Sequence, residues 1–402
     1  MPGSQEKRSQ DILDDLAIKV AKMHYEEALE PSEIARQLKK EGIRDARDAR
    51  VLIQRARDRK LASVKVEPTL TSPRDFGLEE ELQALTGIRR CLVAKTKLAV
   101  TSENLDSDDP DERRRAQQDN GDLHRQLGEI AGEYLWAHLR PGDCLAVGGG
   151  RATWFTVQTV RKKRERQKKA PFLGDARVVS LAGGVLMGPA WESVPTVDAD
   201  LVARELGRAL EIKTVNLVEL QATAGALPDK IVEEIAPQIQ GGAWPGQRIP
   251  DVALFGMGML SDDYYILKSP GALADQVEIW KDELQRNAKR SVADICQHFW
   301  AIEGAVQDVS VQKRIRDFVR NLNDNILHIE FSKLDQAREK VLIAGGAPKR
   351  KAVLQLLAQA HDQPGDQARE HLGLHITVLV TDECMARQLI EDLSGSRGTP
   401  ER

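Results

Sequence analysis

Apolar residues in "DILDDLAIKVAKMHYEEAL" fall at Ile12, Leu16, Ile18, Val20, Ala21 and Met23, spacings that suit an amphipathic helix. "EPSEIARQLKKEGI" predicts a second, short helix. Pro31 and Ser32 mark its start, Ile34, Ala35 and Leu38 form its apolar face, and Gly42 ends it. "RDARDARVLIQRARDRK" resumes as a third, strongly basic helix, and "LASVKVEP" alternates like a short strand or wing before Pro68. Three short helices with a glycine turn before the last predict a helix-turn-helix unit over residues 1–67.

Residues 68–76 follow as a linker rich in Thr, Ser and Pro, and the period then changes. From Gly77 to about residue 393, helical stretches such as "LEEELQALTG", "LGEIAGEYLWAHLR" and "DADLVARELGRAL" alternate with short apolar runs. Those runs are "RRCLVAKT", "DCLAVGGG", "ARVVSLAGG", "TVNLVEL", "DVALFGMG", "KVLIAGG" and "HITVLVTD". Such alternation predicts an α/β domain around a mostly parallel, doubly wound sheet. Two polar stretches read as insertions. "TSENLDSDDPDERRRAQQDNGD" (101–122) is expected to be a mobile loop, and "RKKRERQKK" (161–169) a solvated, basic helix end. Residues 394–402 read as a flexible tail.

Charge sharpens the division. Net charge over the 402 residues is −4, yet residues 36–66 alone carry +7 and residues 1–35 carry −4. A small module with one basic half, joined to an acidic body, is a pattern expected of a DNA-binding attachment. The alternative is a plain solvated basic helix. Aromatic residues make up only 4% of the chain, which argues against a surface that stacks single-stranded nucleic acid along its length. No 18-residue apolar run and no signal-peptide core is present, so neither a membrane span nor secretion is expected. Cys91, Cys144, Cys296 and Cys384 are scattered without a CxxC, which points away from zinc and disulfides and toward a reducing cytoplasm.

The candidate chemistry centres on "CLAVGGGRATWFTV" (144–157), where a strand, a glycine turn and a helix N-terminus follow one another. Exposed backbone N–H groups and the helix dipole make such a turn an anion site. A dinucleotide fits poorly, because Thr153 replaces the third fingerprint glycine and the next strand ends in Gly183-Gly184, where a ribose-binding acid belongs. There is no GxxxxGK[ST], GxSxG or HExxH. The eight histidines form no ligand-spaced cluster, and each reads as a surface or satisfied core residue. No cofactor is expected. What recurs is a set of glycine-terminated strands: Gly148–Gly150, Gly183-Gly184, Gly256-Met257-Gly258 and Gly345-Gly346. Singly these are tight turns; four at one sheet edge predict a phosphate-lined crevice. Lys349, three residues after the last pair, adds a point charge suited to a phosphate monoester.

With these motifs in order, the chain resembles the SorC-type transcriptional regulators, a bacterial family with an N-terminal helix-turn-helix and a C-terminal sugar-binding domain. "VAKMHYEEALEPSEIARQL", "LGEIAGEYLWAHLRPGDCLAVGGGRAT", "ADICQHFWAIEG" and "VLIAGGAPKRKAVLQLL" carry the resemblance. It implies an effector domain related in fold to ribose-5-phosphate isomerase and glucosamine-6-phosphate deaminase, with a Rossmann-like sheet, that binds a phosphorylated sugar without converting it. It also implies operator DNA as partner and a homo-oligomer, dimer or tetramer. By position it assigns Gly149, Gly150, Arg151, Ala152 and Thr153 to a first phosphate loop, Gly183 and Gly184 to a second, and Gly345, Gly346 and Lys349 to a third. Asp294 is assigned to the pocket rim or the sugar hydroxyls, with Glu303 a weaker candidate. For DNA, Arg44, Arg47 and Arg50 recur every three residues and are expected on one helix face, with Gln54, Arg55 and Arg57 behind them. Asp45 and Asp48 intrude on that face, where they would repel phosphates, accept from cytosine or hold an arginine in position. Two other outcomes stay open: a sugar-phosphate isomerase or deaminase with an accessory head, using Asp294, Glu303 or Asp382 as base, and a sensor acting through protein partners.

Overall fold

In a computed structural model, residues 13–23, 31–59, 73–96, 98, 100–105, 107–166, 173–181, 198–215, 249–260, 291–325, 331–358 and 372–396 are described. The chain divides into two units, residues 1–71 and 72–402. The wing expected at 61–68 and most of the linker lie outside the described residues.

Among the described residues the first unit holds three α-helices: α1 (13–23), α2 (Pro31–Gln37) and α3 (Ala46–Asp58). Their apolar stripes close one small core, with Val20 and Ala21 of α1 meeting Ile34 of α2, Leu38 just after it, and Ala49, Leu52 and Ile53 of α3. A single 3-10 turn, Lys39–Glu41, ends on Gly42 at φ +95°, a left-handed conformation that glycine adopts without strain.

Among the described residues the second unit is built on a seven-stranded sheet whose strands all pair in parallel. In chain order they are β1 (Arg90–Ala94), β2 (Cys144–Val147), β3 (Arg177–Ser180), β4 (Lys213–Val215), β5 (Val252–Gly256), β9 (Glu339–Ile343) and β10 (Val378–Asp382). Three further short strands, β6 (Gly258–Met259), β7 (Val292–Ile295) and β8 (His298–Ala301), form a separate antiparallel sheet, which the periodicity does not announce.

Spatial order in the large sheet is β1-β10-β9-β5-β2-β3-β4. From β2 the chain runs outward to the β4 edge, returns to β5 beside β2, and runs outward through β9 to β10, which lies against the other edge strand, β1. The carboxyl ends of β2 and β5 flank the switch point, where a parallel sheet opens a crevice. Alternate strand residues face opposite layers. Leu145, Val147, Leu254, Ile343 and Val380 pack on α6 (Pro110–His138), α7 (Arg151–Arg166) and α8 (Ala199–Leu210). Ala146, Phe255, Leu342 and Leu379 pack on α4 (Phe76–Thr86), α11 (Arg350–Ala358) and α12 (Glu383–Ser396). Continuous burial on both faces explains why these strands read as short apolar runs. Three more helices complete the described elements: α5 (Ser102–Leu105), α9 (Val309–Asn325) over the small sheet, and α10 (Phe331–Leu334).

Three expectations are corrected. The stretch 101–122 is not a loop, because α6 begins at Pro110 and runs 29 residues. Asp109 caps it by accepting the Asp111 N–H at 2.8 Å, Pro110 suits the first turn, and Ala116 and Leu123 bury the inner face of an otherwise polar segment. Residues 74–76 are not linker. Arg74 bridges Ala94, and the Asp75 carboxylate caps α4 through the Leu78 N–H at 3.2 Å. The terminal helix continues through Ser396, past the expected start of the tail. The basic end of α7 is a largely exposed helix end as far as it is described, to Arg166, with Lys163 paired to Glu133 and Arg164 to Glu211 at 2.8 Å.

Candidate functional site

The turn after β2 is shaped by glycine. A Cβ at Gly148 would lie 2.9 Å from Cys296 Sγ and 3.2 Å from Phe255 Cβ, so only a bare backbone fits. Gly150 sits at φ +111°, and the first bond of α7 runs from the Trp154 N–H to the Gly150 carbonyl at 3.0 Å. The N–H groups ahead of it, at Ala152 and Thr153, fall outside the helical ladder and open on the carboxyl edge of the sheet. Thr153 is fully buried and donates its hydroxyl to the Gly150 carbonyl at 2.7 Å. That side chain staples the turn, which leaves Gly149, Gly150 and exposed Arg151 as the part that faces outward.

The turn after β9 is built differently. Gly345 carries α6 almost against its Cα: a Cβ there would meet Leu127 Cδ1 at 2.5 Å and Asp382 Oδ2 at 2.8 Å. Gly346, at φ +86°, donates its N–H to Asp382 Oδ2 at 2.6 Å, and Ala347 donates to the Val100 carbonyl at 3.1 Å. The 3-10 turn Ala347–Lys349 follows and leads into α11, placing half-buried Lys349 at the helix start, as its spacing predicts. Asp382 Oδ1 also accepts the Met385 N–H at 3.0 Å, capping α12. Burial pushes its carboxyl up, against the pull of those backbone N–H groups. Both of its oxygens hold backbone in place, so the general-base role open to it in the sequence has no support in the geometry.

Asp294 lies in β7, paired with Gly258 of β6 and Phe299 of β8, and its Oδ2 accepts the Gln297 N–H at 3.3 Å. The β7–β8 tip is held by two consecutive non-glycine residues in left-handed backbone, Cys296 at φ +53° and Gln297 at φ +67°. Such conformations cost about 1–3 kcal/mol each and persist where packing over-determines them. Here Cys296 Sγ packs on Gly148, which brings the Asp294 hairpin over the first turn. Burial, with the Asp294 charge added, pushes the Cys296 thiol far up and keeps it inert. Glu303 is half-buried, and its N–H donates to Gln355 Oε1 at 3.3 Å. Gly183 and Gly184 lie outside the described residues.

The long helix α6 joins the two turns. Gly128 and Gly132 let it lie on α7, where a Cβ at Gly128 would meet the Ala152 carbonyl at 2.6 Å, while Leu123 and Leu127 cover Gly345. His124 sits between those contacts. Its Nδ1 is shut off from solvent, and Lys349 and Arg151 both act on its charge. Burial first, then the two cations, pushes the imidazole well below its ordinary value, so it is neutral. A lone histidine on a charged helix gives no sequence signal of this position. Among the described residues no group of three His, Cys, Asp or Glu is placed to hold a metal ion, and no helix is long and apolar enough to cross a membrane.

A parallel sheet with glycine turns at its carboxyl edge and a lysine at a helix start carries a family pattern: the sugar-binding domain model matches residues 74–391. The chain belongs to the sugar-binding domain family of SorC-type regulators. The sorbitol operon regulator of Klebsiella pneumoniae is 23% identical over 94% of this chain and 98% of its own. Transcriptional regulator LsrR of Klebsiella pneumoniae subsp. pneumoniae is 22% identical over 94% of this chain and 93% of its own. The crystal structure of the full-length sorbitol operon regulator SorC matches with a TM-score of 0.52 at 20% identity, covering 95% of this chain and 99% of that one. That likeness is one of fold. Within the SorC-type family the matched span begins at the bridge residue Arg74, which agrees with the division of the chain near residue 72.

In the first unit, Arg47, Arg50 and Gln54 are exposed on α3 beside Val51, which is 60% exposed. Arg44 does not share that helix. Asp45 caps α3 by accepting the Arg47 and Asp48 N–H groups at 2.8 and 3.0 Å, so Arg44 precedes the cap. Its guanidinium bonds Asp48 Oδ2 at 3.0 Å and holds that carboxyl below the usual range. The two acids therefore cap and clamp. Arg55 reaches inward to Asp14 of α1 at 2.8 Å, with Arg59 on the same carboxylate. The Arg57 side chain lies outside the described residues.

Proposed function

We propose that the chain is a cytoplasmic, DNA-binding transcriptional regulator whose operator affinity responds to a phosphorylated sugar. One observation carries the effector half: the Gly148–Thr153 turn and the Gly345–Lys349 turn open on the same edge of the sheet, bridged by α6 at the switch point. Backbone N–H groups at two helix starts, with Arg151 and Lys349 beside them, suit a phosphate monoester, and Asp294 suits a sugar hydroxyl. The Rossmann-like, isomerase-related architecture is the fold that this strand order fits best. The named regulators among the relatives support a binding role, and the engagement of both Asp382 oxygens by backbone argues against the isomerase or deaminase alternative.

The DNA half rests on α3, read as the recognition helix of a helix-turn-helix, with Arg47, Arg50 and Gln54 toward the groove and Val51 suited to a thymine methyl. A homo-oligomer would present two such heads to two half-sites, and effector binding would favour one arrangement of them. The testing experiment is a thermal-shift screen of the purified chain against ribose 5-phosphate, glucosamine 6-phosphate and other sugar phosphates, with the unphosphorylated sugars as controls. The proposal expects stabilisation by a phosphorylated member alone. Uniform absence of stabilisation counts against it.

A further inference from the structure

We infer that His124 is a proton-linked part of the anion site, so that the site takes up a proton when it binds a dianion. The inference rests on the phosphate-binding reading above and adds a residue and a regulation to it. Its basis is placement. On α6, positions 123 and 127 touch Gly345, while position 128, one turn beyond 124 on the same face, touches the Ala152 carbonyl in the first turn of α7. His124 therefore stands where the helix crosses from one anion turn to the other. The described groups acting on its charge are Lys349 from the 347–349 turn, Arg151 from α7 and the Asn120 backbone from its own helix. Asp382, at the end of β10, faces the same turn but is held by the Gly346 and Met385 N–H groups. On α6, Asp122 and Arg125 pair with each other at 2.7 Å.

With the site empty, burial and two neighbouring cations oppose a third positive charge, and the imidazole is neutral. A bound dianion cancels those cations and supplies an acceptor for a new N–H. The imidazole value then rises toward the ordinary histidine range, and binding is coupled to uptake of one proton from solvent. By linkage, affinity for the anion increases as pH falls through that range and is lowest above it. The neutral form still binds, through the backbone N–H groups and the two cations.

Sulfate separates this from the ligand's own titration, because it stays a dianion across the working range whereas a phosphate monoester does not. Calorimetric titration of the full chain with sulfate from pH 8.5 to pH 6 is expected to show affinity rising roughly fivefold or more. His124→Gln is expected to bind sulfate with an affinity that stays flat with pH. Lys349→Ala weakens binding throughout the range and so locates it at this edge. Native titrations in two buffers of different ionisation enthalpy count the proton directly, without relying on a variant that folds. A flat native profile, no proton uptake, or the same pH dependence in His124→Gln overturns the inference while leaving the anion site standing. Absence of sulfate binding at every pH in native chain and variants alike overturns the anion site, and this inference with it.

Discussion

Asp382 Oδ2 accepts the Gly346 backbone N–H at 2.6 Å, tying the end of β10 to the turn that follows β9. The same carboxylate caps α12 through Met385. One buried side chain thus fixes the path into Lys349 and the start of a core helix. Asp382→Ala leaves both N–H groups without this acceptor and is expected to lower stability by about 1–3 kcal/mol in urea unfolding. Asp382→Asn, which keeps one acceptor oxygen, is expected to fall between. Because the folded carboxyl titrates above its unfolded value, its contribution favours the native state at low pH and is lost as pH rises through the raised range. The native chain should therefore lose stability relative to Asp382→Asn across that window, which unfolding at several pH values measures.

Gly345 faces Leu127 Cδ1 and Asp382 Oδ2 at distances that no Cβ tolerates. Gly345→Ala must push α6 off the turn, an overpacking cost of about 1–3 kcal/mol. Gly121→Ala, at a helical position with nothing within 4 Å, is the control and should be neutral or slightly stabilising. Equal melting temperatures for the two variants would contradict the packing described.

Lys349 stands half-buried at the start of α11. Lys349→Ala is expected to weaken sugar-phosphate binding by about 1–3 kcal/mol, the scale of a charge-assisted hydrogen bond, with little change in stability. Isothermal calorimetry checks the first part and thermal unfolding the second.

In the first unit the inward-paired Arg55 and Arg59 are distinct from the exposed Arg47 and Arg50 that are proposed to meet DNA. Asp14→Ala releases Arg55 and Arg59, which are partly exposed, so a loss of about 0.5–1 kcal/mol in stability is expected. Arg50→Ala is expected to leave stability unchanged and to lower the salt dependence of DNA binding by about one unit of log–log slope. Anisotropy titrations at several salt concentrations distinguish the two.

The large sheet was legible because β2, β5, β9 and β10 are buried on both faces and several strands are followed by the glycine their turns demand. The turns at Gly148 and Gly345 were legible for a related reason: close approach at these positions leaves room only for glycine. The N-terminal half of α6 was not. Its inner face needs only Ala116 and Leu123, so the charged residues around them mask the helical period. The β7–β8 hairpin was missed because its left-handed tip is Cys296-Gln297, with none of the usual turn residues. Arg44 was placed on α3 by charge periodicity, although Asp45 is an N-cap residue type and marks the true start. His124 gains its character first from burial and then from Lys349 and Arg151, distant in sequence, and no local pattern carries that.

The most direct test of the account is the affinity of the purified full-length chain for its own upstream DNA, measured with and without the sugar phosphate that stabilises it. The account predicts salt-dependent, specific binding that shifts at least severalfold when that ligand is added, with the shift lost in Lys349→Ala. Specific DNA binding that ignores every stabilising sugar phosphate, or no specific binding at all, would contradict it.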